Sequence, residues 1–251
     1  MPTTTAAPGG PAGPTRTRRE RLRDATTAEI KAAARALLVR EGPTAVTVRA
    51  TAREVGMTAP ALYRYFGSHE ELVAALYQDL LTEITITLEQ ARDTVGKEDP
   101  VARLMAACRA FRQWSLANRQ EFQLVFASAG EGAPPGHTPA DSDLSFGGVF
   151  LGVFVEIWDA QPFAAPETED LPSGLVEQLR TFSTCIGDVL PLGVLAAYLS
   201  GWVRLYGAVT IEVFGHLGFA LEDAEPMFEA MLADMHRQLT TPRPSTRGRR
   251  G

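Results

Sequence analysis

Cysteine is nearly absent. Cys108 and Cys185 stand far apart, which excludes a disulfide framework or a C-x-x-C pair and points to a reducing cytoplasm. The histidines, His69, His137, His216 and His236, are scattered without metal-ligand spacing, so no metal is expected. No G-x-S-x-G, P-loop or H-E-x-x-H occurs, and the glycines of GEGAPPG (130–136) have the wrong spacing for a dinucleotide fingerprint. No enzyme chemistry and no cofactor are therefore expected. The opening MPTTTAAPGGPAGPT lacks an apolar run, and the arginines after it lead into an amphipathic segment, so neither a signal peptide nor a twin-arginine signal is read. The most apolar stretch, 189–220, carries Arg204, Glu212 and His216, which argues against a membrane span. Strand-type alternation is missing too, so the chain reads as all-α.

What is present is enough apolar residue, 45%, to build one large or two small cores. Charge is divided unevenly. Residues 1–66 hold 11 Arg and Lys against 5 Asp and Glu, whereas residues 67–240 hold 9 against 25, and the tail 241–251 adds 4 arginines. A basic head on an acidic body suits a polyanionic partner at the head.

Along the chain, 1–23 reads as a disordered basic arm containing Arg16, Arg18, Arg19, Arg21 and Arg23, placed to track a nucleic-acid backbone or enter a minor groove. A merely solubilising tail is the alternative. Thr26-x-x-Glu29 offers a capping box for a helix with Ile30, Ala33, Ala34, Leu37 and Leu38 on one face, ended by Gly42-Pro43. The segment TVRATAREVGMTAPALYRYF (47–66) then breaks at a glycine and restarts. Thr47 caps a helix with Val48, Thr51, Ala52 and Val55 inward, and Gly56 suits a left-handed turn. Thr58 caps again, Pro60 sits in the first turn, and Leu62 and Phe66 point inward. Two short helices about a tight turn make a helix-turn-helix.

The second helix leaves Ala59, Pro60, Ala61, Tyr63, Arg64 and Tyr65 for an exposed face. Small residues at its start allow close approach to base edges, while tyrosine hydroxyls and arginine suit phosphates. Arg49 and Arg53 add charge beside it. Ser68 and Glu71 form a further capping box, whose helix could offer N–H groups to a phosphate. A small helical hairpin with a solvated face is the plainer reading.

Residues 24–72, from the helix ending ALLVREG through TVRATAREVGMTAPALYRYFGSHEEL, resemble the DNA-binding domain of the TetR family of bacterial transcriptional regulators. The resemblance implies a three-helix head over 24–68. Thr47 and Tyr63 would contact phosphates, and residues 58–61 with Arg64 would face the major groove. Tyr65 stands where the family often has a phosphate-contacting histidine. His69 stands where lysine is common, and a neutral imidazole would make a weaker, pH-dependent contact. The stretch GWVRLYGAVTIEVFGHLG is similar to a C-terminal subgroup named for Trp, His and Gly positions. Trp202, Gly207 and Gly215 fit it, but Tyr206 replaces the histidine.

Residues 69–240 are expected to bind an effector and to dimerise, followed by a disordered basic tail, 241–251. A helix over 192–219, roughly 40 Å at ~1.5 Å per residue, would show two faces. Leu195, Leu199, Trp202, Tyr206, Val209, Val213 and Leu217 form a large one. Gly193, Ala197, Ser200, Gly201, Ala208, Ile211 and Gly215, with Arg204 among them, form a small one for a symmetry mate, unless both pack inside one subunit. The helix at 223–239 would complete a four-helix dimer bundle.

The resemblance also implies an effector pocket. Its expected walls are Phe111, Trp114, Phe126, Phe150, Phe154, Trp158, Phe182, Trp202 and Tyr206, for a hydrophobic or aromatic molecule. Gln113, Ser115, Thr184, Tyr206 and Glu212 are candidate polar groups, and the 129–145 loop a candidate gate. The function expected is a homodimeric repressor released from a palindromic operator in double-stranded DNA. An activator, a regulator without an effector, and a helical carrier or enzyme with an incidental hairpin are the alternatives.

Overall fold

A computed structural model describes residues 17–127 and 139–243. The expectations for residues 1–16, for 129–138 of the loop and for the tail from 244 lie outside the described residues. Among the described residues all named elements are helical, and one isolated bridge joins Phe163 to Pro242 antiparallel. The chain divides into two compact units between Leu76 and Tyr77, inside a helix that begins at His69.

In the first unit, α1 (Arg18–Glu41) packs on α2 (Val48–Val55), which packs on α3 (Ala59–Leu62). Ile30, Ala34, Leu37, Leu38, Ala52, Leu62, Phe66 and Leu72 are buried in its core. α1 corrects the expected boundary, because it starts before the presumed cap. Thr17-x-x-Glu20 is itself a capping box: Thr17 Oγ1 accepts from the Glu20 N–H at 3.2 Å, and Glu20 Oε2 accepts from the Thr17 N–H at 2.7 Å. Residues 18–23 are therefore helix, not disordered arm. Thr26 and Thr27 sit inside it and donate back to the carbonyls of Leu22 and Arg23.

The turn after α2 is as the sequence reads. Gly56 has φ 76° and ψ 27°, and its N–H returns to the carbonyls of Ala52 and Arg53. α3 is short, and its winding continues as turns. The N–H groups of Tyr63, Tyr65 and Phe66 bond the carbonyls of Ala59, Leu62 and Leu62 at 3.1, 2.8 and 3.1 Å.

The second unit takes most of α4 (His69–Asp93), then α5 (Pro100–Ala117), α6 (Arg119–Phe122), a π-helical turn (Gln123–Ala127), α7 (Pro139–Ala160), α8 (Ser173–Cys185), α9 (Leu192–Val213) and α10 (Glu225–Thr240). α5 packs against α7, α9 and α10 and carries buried Leu104, Ala107, Cys108, Phe111 and Trp114. Polar links fasten it to its neighbours. Trp114 Nε1 donates to Glu83 Oε1 of α4 at 3.1 Å. Arg103 reaches Asp93 at 3.3 Å and Glu156 of α7. Arg112 grips Glu212 of α9 at 2.7 and 2.8 Å.

Four further expectations change. α7 begins at Pro139, so helix replaces the last part of the supposed loop. Residues Thr241–Arg243 are laid against 162–164, with the Ala164 N–H bonded to the Thr241 carbonyl at 2.9 Å, instead of opening a disordered tail. α9 stops at Val213, because Gly215 at φ 71° turns the chain. The first half of the small face of α9 is not a free surface, whereas Ser200, Ile211 and Gly215 stay exposed. Gly193 lies so close to the Pro166 carbonyl that no β-carbon fits, Gly201 faces the Met235 methyl, and Ala197 is buried. The loop before α8 and a methionine of α10 fill it from within the subunit. By length and hydropathy α9 could span a membrane. Its Glu212 is instead ion-paired with Arg112, and one side is packed on α5 and α8.

Candidate nucleic-acid interface

Three capped helix starts shape the exposed face of the head. Thr47 Oγ1 accepts from the Ala50 N–H at 3.1 Å, Thr58 Oγ1 from Ala61 at 3.4 Å, and Ser68 Oγ from Glu71 at 3.2 Å. Each cap fixes where its helix begins, and hence which side chains face out. Thr47, Arg49, Ala50, Arg53, Met57 and Ala59 line one open depression between α2 and the start of α3. Thr47, Arg49 and Ala59 were expected at the site. Met57 was missed, because a lone methionine after a glycine turn gives no signal.

Beyond that depression Thr58, Pro60, Tyr63 and Arg64 are exposed, Ala61 and Tyr65 half-buried. Tyr63 is 50% exposed on the turn that follows α3, although its ring is large and apolar. The ring is thus left outside the core, on the same side of the helix as Ala59 one turn earlier. Tyr65 has a different setting. The Arg23 guanidinium lies 5.9 Å from the centre of its ring, and Arg23 Nη2 donates to the Arg64 carbonyl at 3.3 Å. Sequence reading missed this link, since 41 residues separate Arg23 from Arg64.

The start of α4 carries the expected Ser68–Glu71 pairing, with the Glu71 carboxylate reaching back to Gly67 instead of to Ser68 itself. The Gly67 N–H is held by Glu71 Oε2 at 2.6 Å and the Glu71 N–H by Ser68. The Glu70 backbone N–H and the Ser68 hydroxyl bond the Glu70 carboxyl and keep it below the usual carboxylate range. Carboxylates thus already occupy N–H groups foreseen for a phosphate. His69 is exposed, but its Nε2 is engaged, lying 2.6 Å from the Val46 carbonyl oxygen.

In the second unit the aromatic residues fall into two groups. Phe111, fully buried, touches Phe122, Phe126, Phe146, Phe150 and Trp202 at centroid distances of 5.6 to 6.4 Å, and Tyr206 joins through Phe126 and Trp202. Phe154 and Trp158 instead meet at Phe163. Trp114 is committed to Glu83, and Phe182 is half-buried on α8. The polar candidates are mostly engaged. Ser115 and Thr184 donate to carbonyls of their own helices, Tyr206 donates to the Phe126 carbonyl at 2.7 Å, Glu212 binds Arg112, and Gln113 is exposed.

Residues 30–76 match the family model described as bacterial regulatory proteins, tetR family, and residues 104–235, over half the chain, match the tetracyclin repressor-like C-terminal domain. The chain belongs to the TetR family. It is a DNA-binding, helix-turn-helix transcriptional regulator and not an enzyme. The HTH-type transcriptional regulators Rv1816 of Mycobacterium tuberculosis and Mb1846 of Mycobacterium bovis are each 28% identical to this TetR-family chain over 217 residues, covering 85% of it and 92% of each relative. The crystal structure of SCO4313 is 28% identical, with TM-score 0.63, covering 87% of this chain and 98% of that one. RolR in complex with resorcinol shares the fold at 16% identity and TM-score 0.54, over 89% and 97% of the two chains.

Proposed function

We propose that this regulator is a cytoplasmic repressor. It binds as a homodimer to an inverted repeat and is released by a small apolar or aromatic effector. The observation that carries the DNA reading is the exposed Tyr63 beside the depression lined by Thr47, Arg49 and Arg53. Thr47 and Tyr63 contact phosphates there, Arg49 lies beside them, and the 58–61 segment with Arg64 meets base edges. Tyr65, Ser68 and His69 hold the geometry of the head.

The dimer is supported by a stripe at helical spacing along α9. Val203 is 68% exposed, Ile211 41% and Phe214 38%, with Gly207 between them, and α10 adds Met227. Ile211 belongs to the expected small-residue face, whose later part is left open while its start is filled from within the subunit. Two heads related by symmetry read half-sites about 34–36 Å apart, one DNA turn.

The effector is read from the ring cluster about Phe111. Its aromatic walls suit a neutral aromatic molecule, and the relative RolR is itself described with resorcinol. To lower operator affinity ~100-fold, an effector must favour the non-binding arrangement by about 2.7 kcal/mol. Roughly 110 Å² of differential apolar burial at about 25 cal/mol per Å² supplies that. α4 is the lever, running unbroken from His69 to Asp93.

Selection of binders from a random duplex pool tests the reading. Enrichment of an inverted repeat supports it. No enrichment, or a single unrepeated site, overturns it.

A further inference from the structure

The TetR-family match begins at residue 30, but α1 begins at Arg18. More than three turns, at 3.6 residues each, precede the matched segment. Burial does not explain them. Every residue from Thr17 to Ala25 is exposed, Leu22 by 69%, and the first buried position is Ile30. Their helicity rests on the Thr17–Glu20 box and their position on Arg23. The Arg23 guanidinium, donating to the Arg64 carbonyl and lying by the Tyr65 ring, sets this helix against the end of the reading segment.

Helix geometry then sorts the remaining arginines. Arg19 precedes Arg23 by four residues and shares its face one turn further out, whereas Arg18 and Arg21 are three apart on the other side. We infer that these extra turns form a rigid basic extension that neutralises backbone phosphates flanking each half-site, with Arg19 as its principal contact. The inference rests on the DNA-binding reading and extends it to DNA beyond the bases read. Charge identifies the occupant, since the exposed turns are arginine-rich and stand beside groups aimed at DNA. Because the segment is helical and clamped, its contact is with particular phosphates, unlike that of a flexible tail.

The test uses the full chain, the selected duplex and a shorter duplex trimmed to its two half-sites. The slope of log affinity against log salt is measured on both. Each phosphate neutralised contributes about 0.9 to that slope. Arg19→Ala, removing one contact per head, lowers it by about 1.8 for the dimer, so over a threefold rise in salt the wild type loses about sevenfold more affinity than the variant. Trimming lowers the wild-type slope equally and leaves that of Arg19→Ala unchanged. Arg18→Ala and Arg21→Ala retain the wild-type slope on both duplexes. Equal loss in all three variants would mean a diffuse charged tail, and an unchanged slope in Arg19→Ala would mean no contact; either overturns the inference. Failure of the wild type to bind any duplex would instead sink the DNA reading itself. All three arginines are exposed, so a matching thermal melt confirms that each variant is folded.

Discussion

His69 Nε2 lies 2.6 Å from the carbonyl oxygen of Val46, fastening the first residue of α4 to the residue just ahead of the Thr47 cap. A carbonyl only accepts, so the proton sits on Nε2, and Nδ1 is left 4.0 Å from Glu70 Oε1. No bond within α2 serves that carbonyl, because the first one runs from the Thr51 N–H to Thr47. Val46 is 2% exposed, so the imidazole supplies a donor that water does not readily replace. The position where the family resemblance suggests a phosphate contact thus carries a side chain bonded to the backbone beside the Thr47 cap.

His69→Ala therefore leaves a buried acceptor without its donor and destabilises the head by about 1–3 kcal/mol. His69→Gln, whose amide nitrogen reaches a similar point, retains most of the stability and the operator affinity. Thermal unfolding with parallel DNA titration checks this. Equal behaviour of the two variants would mean that the His69 bond does not hold the head.

Tyr63→Phe removes a hydroxyl assigned to a phosphate. Operator affinity falls about tenfold or more, the worth of one hydrogen bond to a charged group. The fall is the same on every single-base variant of the operator. A changed preference at one base pair would place Tyr63 on a base edge instead.

Gly56→Ala has room for its methyl group but not the backbone conformation, since φ is 76°. The left-handed residue costs roughly 1–2 kcal/mol. The melting temperature of the variant drops accordingly, and DNA affinity falls as the turn between α2 and α3 loosens.

The ion pairs of α5 divide by burial. Arg112 and Glu212 have side chains 10% and 13% exposed, while Arg109 and Glu229 are 46% and 40% exposed. Glu212→Ala strips the guanidinium of its buried partner, leaving only the exposed Glu225 carboxylate at 3.4 Å, and costs about 1.5–3 kcal/mol. Glu229→Ala costs under about 1 kcal/mol. Denaturant titration of both variants separates the two outcomes, and equal costs would contradict the assignment.

The thiols divide in the same way. Cys108 is buried, and burial pushes its pKa up to about 12, so it stays protonated and shielded. Cys185 is exposed. Mass spectrometry of maleimide-treated native protein shows one adduct, on Cys185, and two only after unfolding.

The head was legible in the sequence because its signals are local. Thr47, Gly56 and Thr58 each act within a few residues, and the structure gives them the caps and the turn that their types demand. The early start of α1 was hidden because Thr17 and Glu20 lie among arginines that read as a tail. The faces of α9 were visible as a pattern, but periodicity does not name the opposing element. Gly193 faces Pro166 and Gly201 faces Met235, both partners distant in sequence. The partners of the polar residues proposed for the pocket were not legible for the same reason: Glu212 meets Arg112 and Tyr206 meets the Phe126 carbonyl, both supplied by other elements.

The central claim is that two heads, held at fixed separation by a dimer, read an inverted repeat together. Inserting about five base pairs between the half-sites of the selected operator turns one away by about half a helical turn. Affinity on this duplex is expected to fall to that of an isolated half-site, with no change in the melting of the protein. Unchanged affinity on the duplex with the insertion would contradict it.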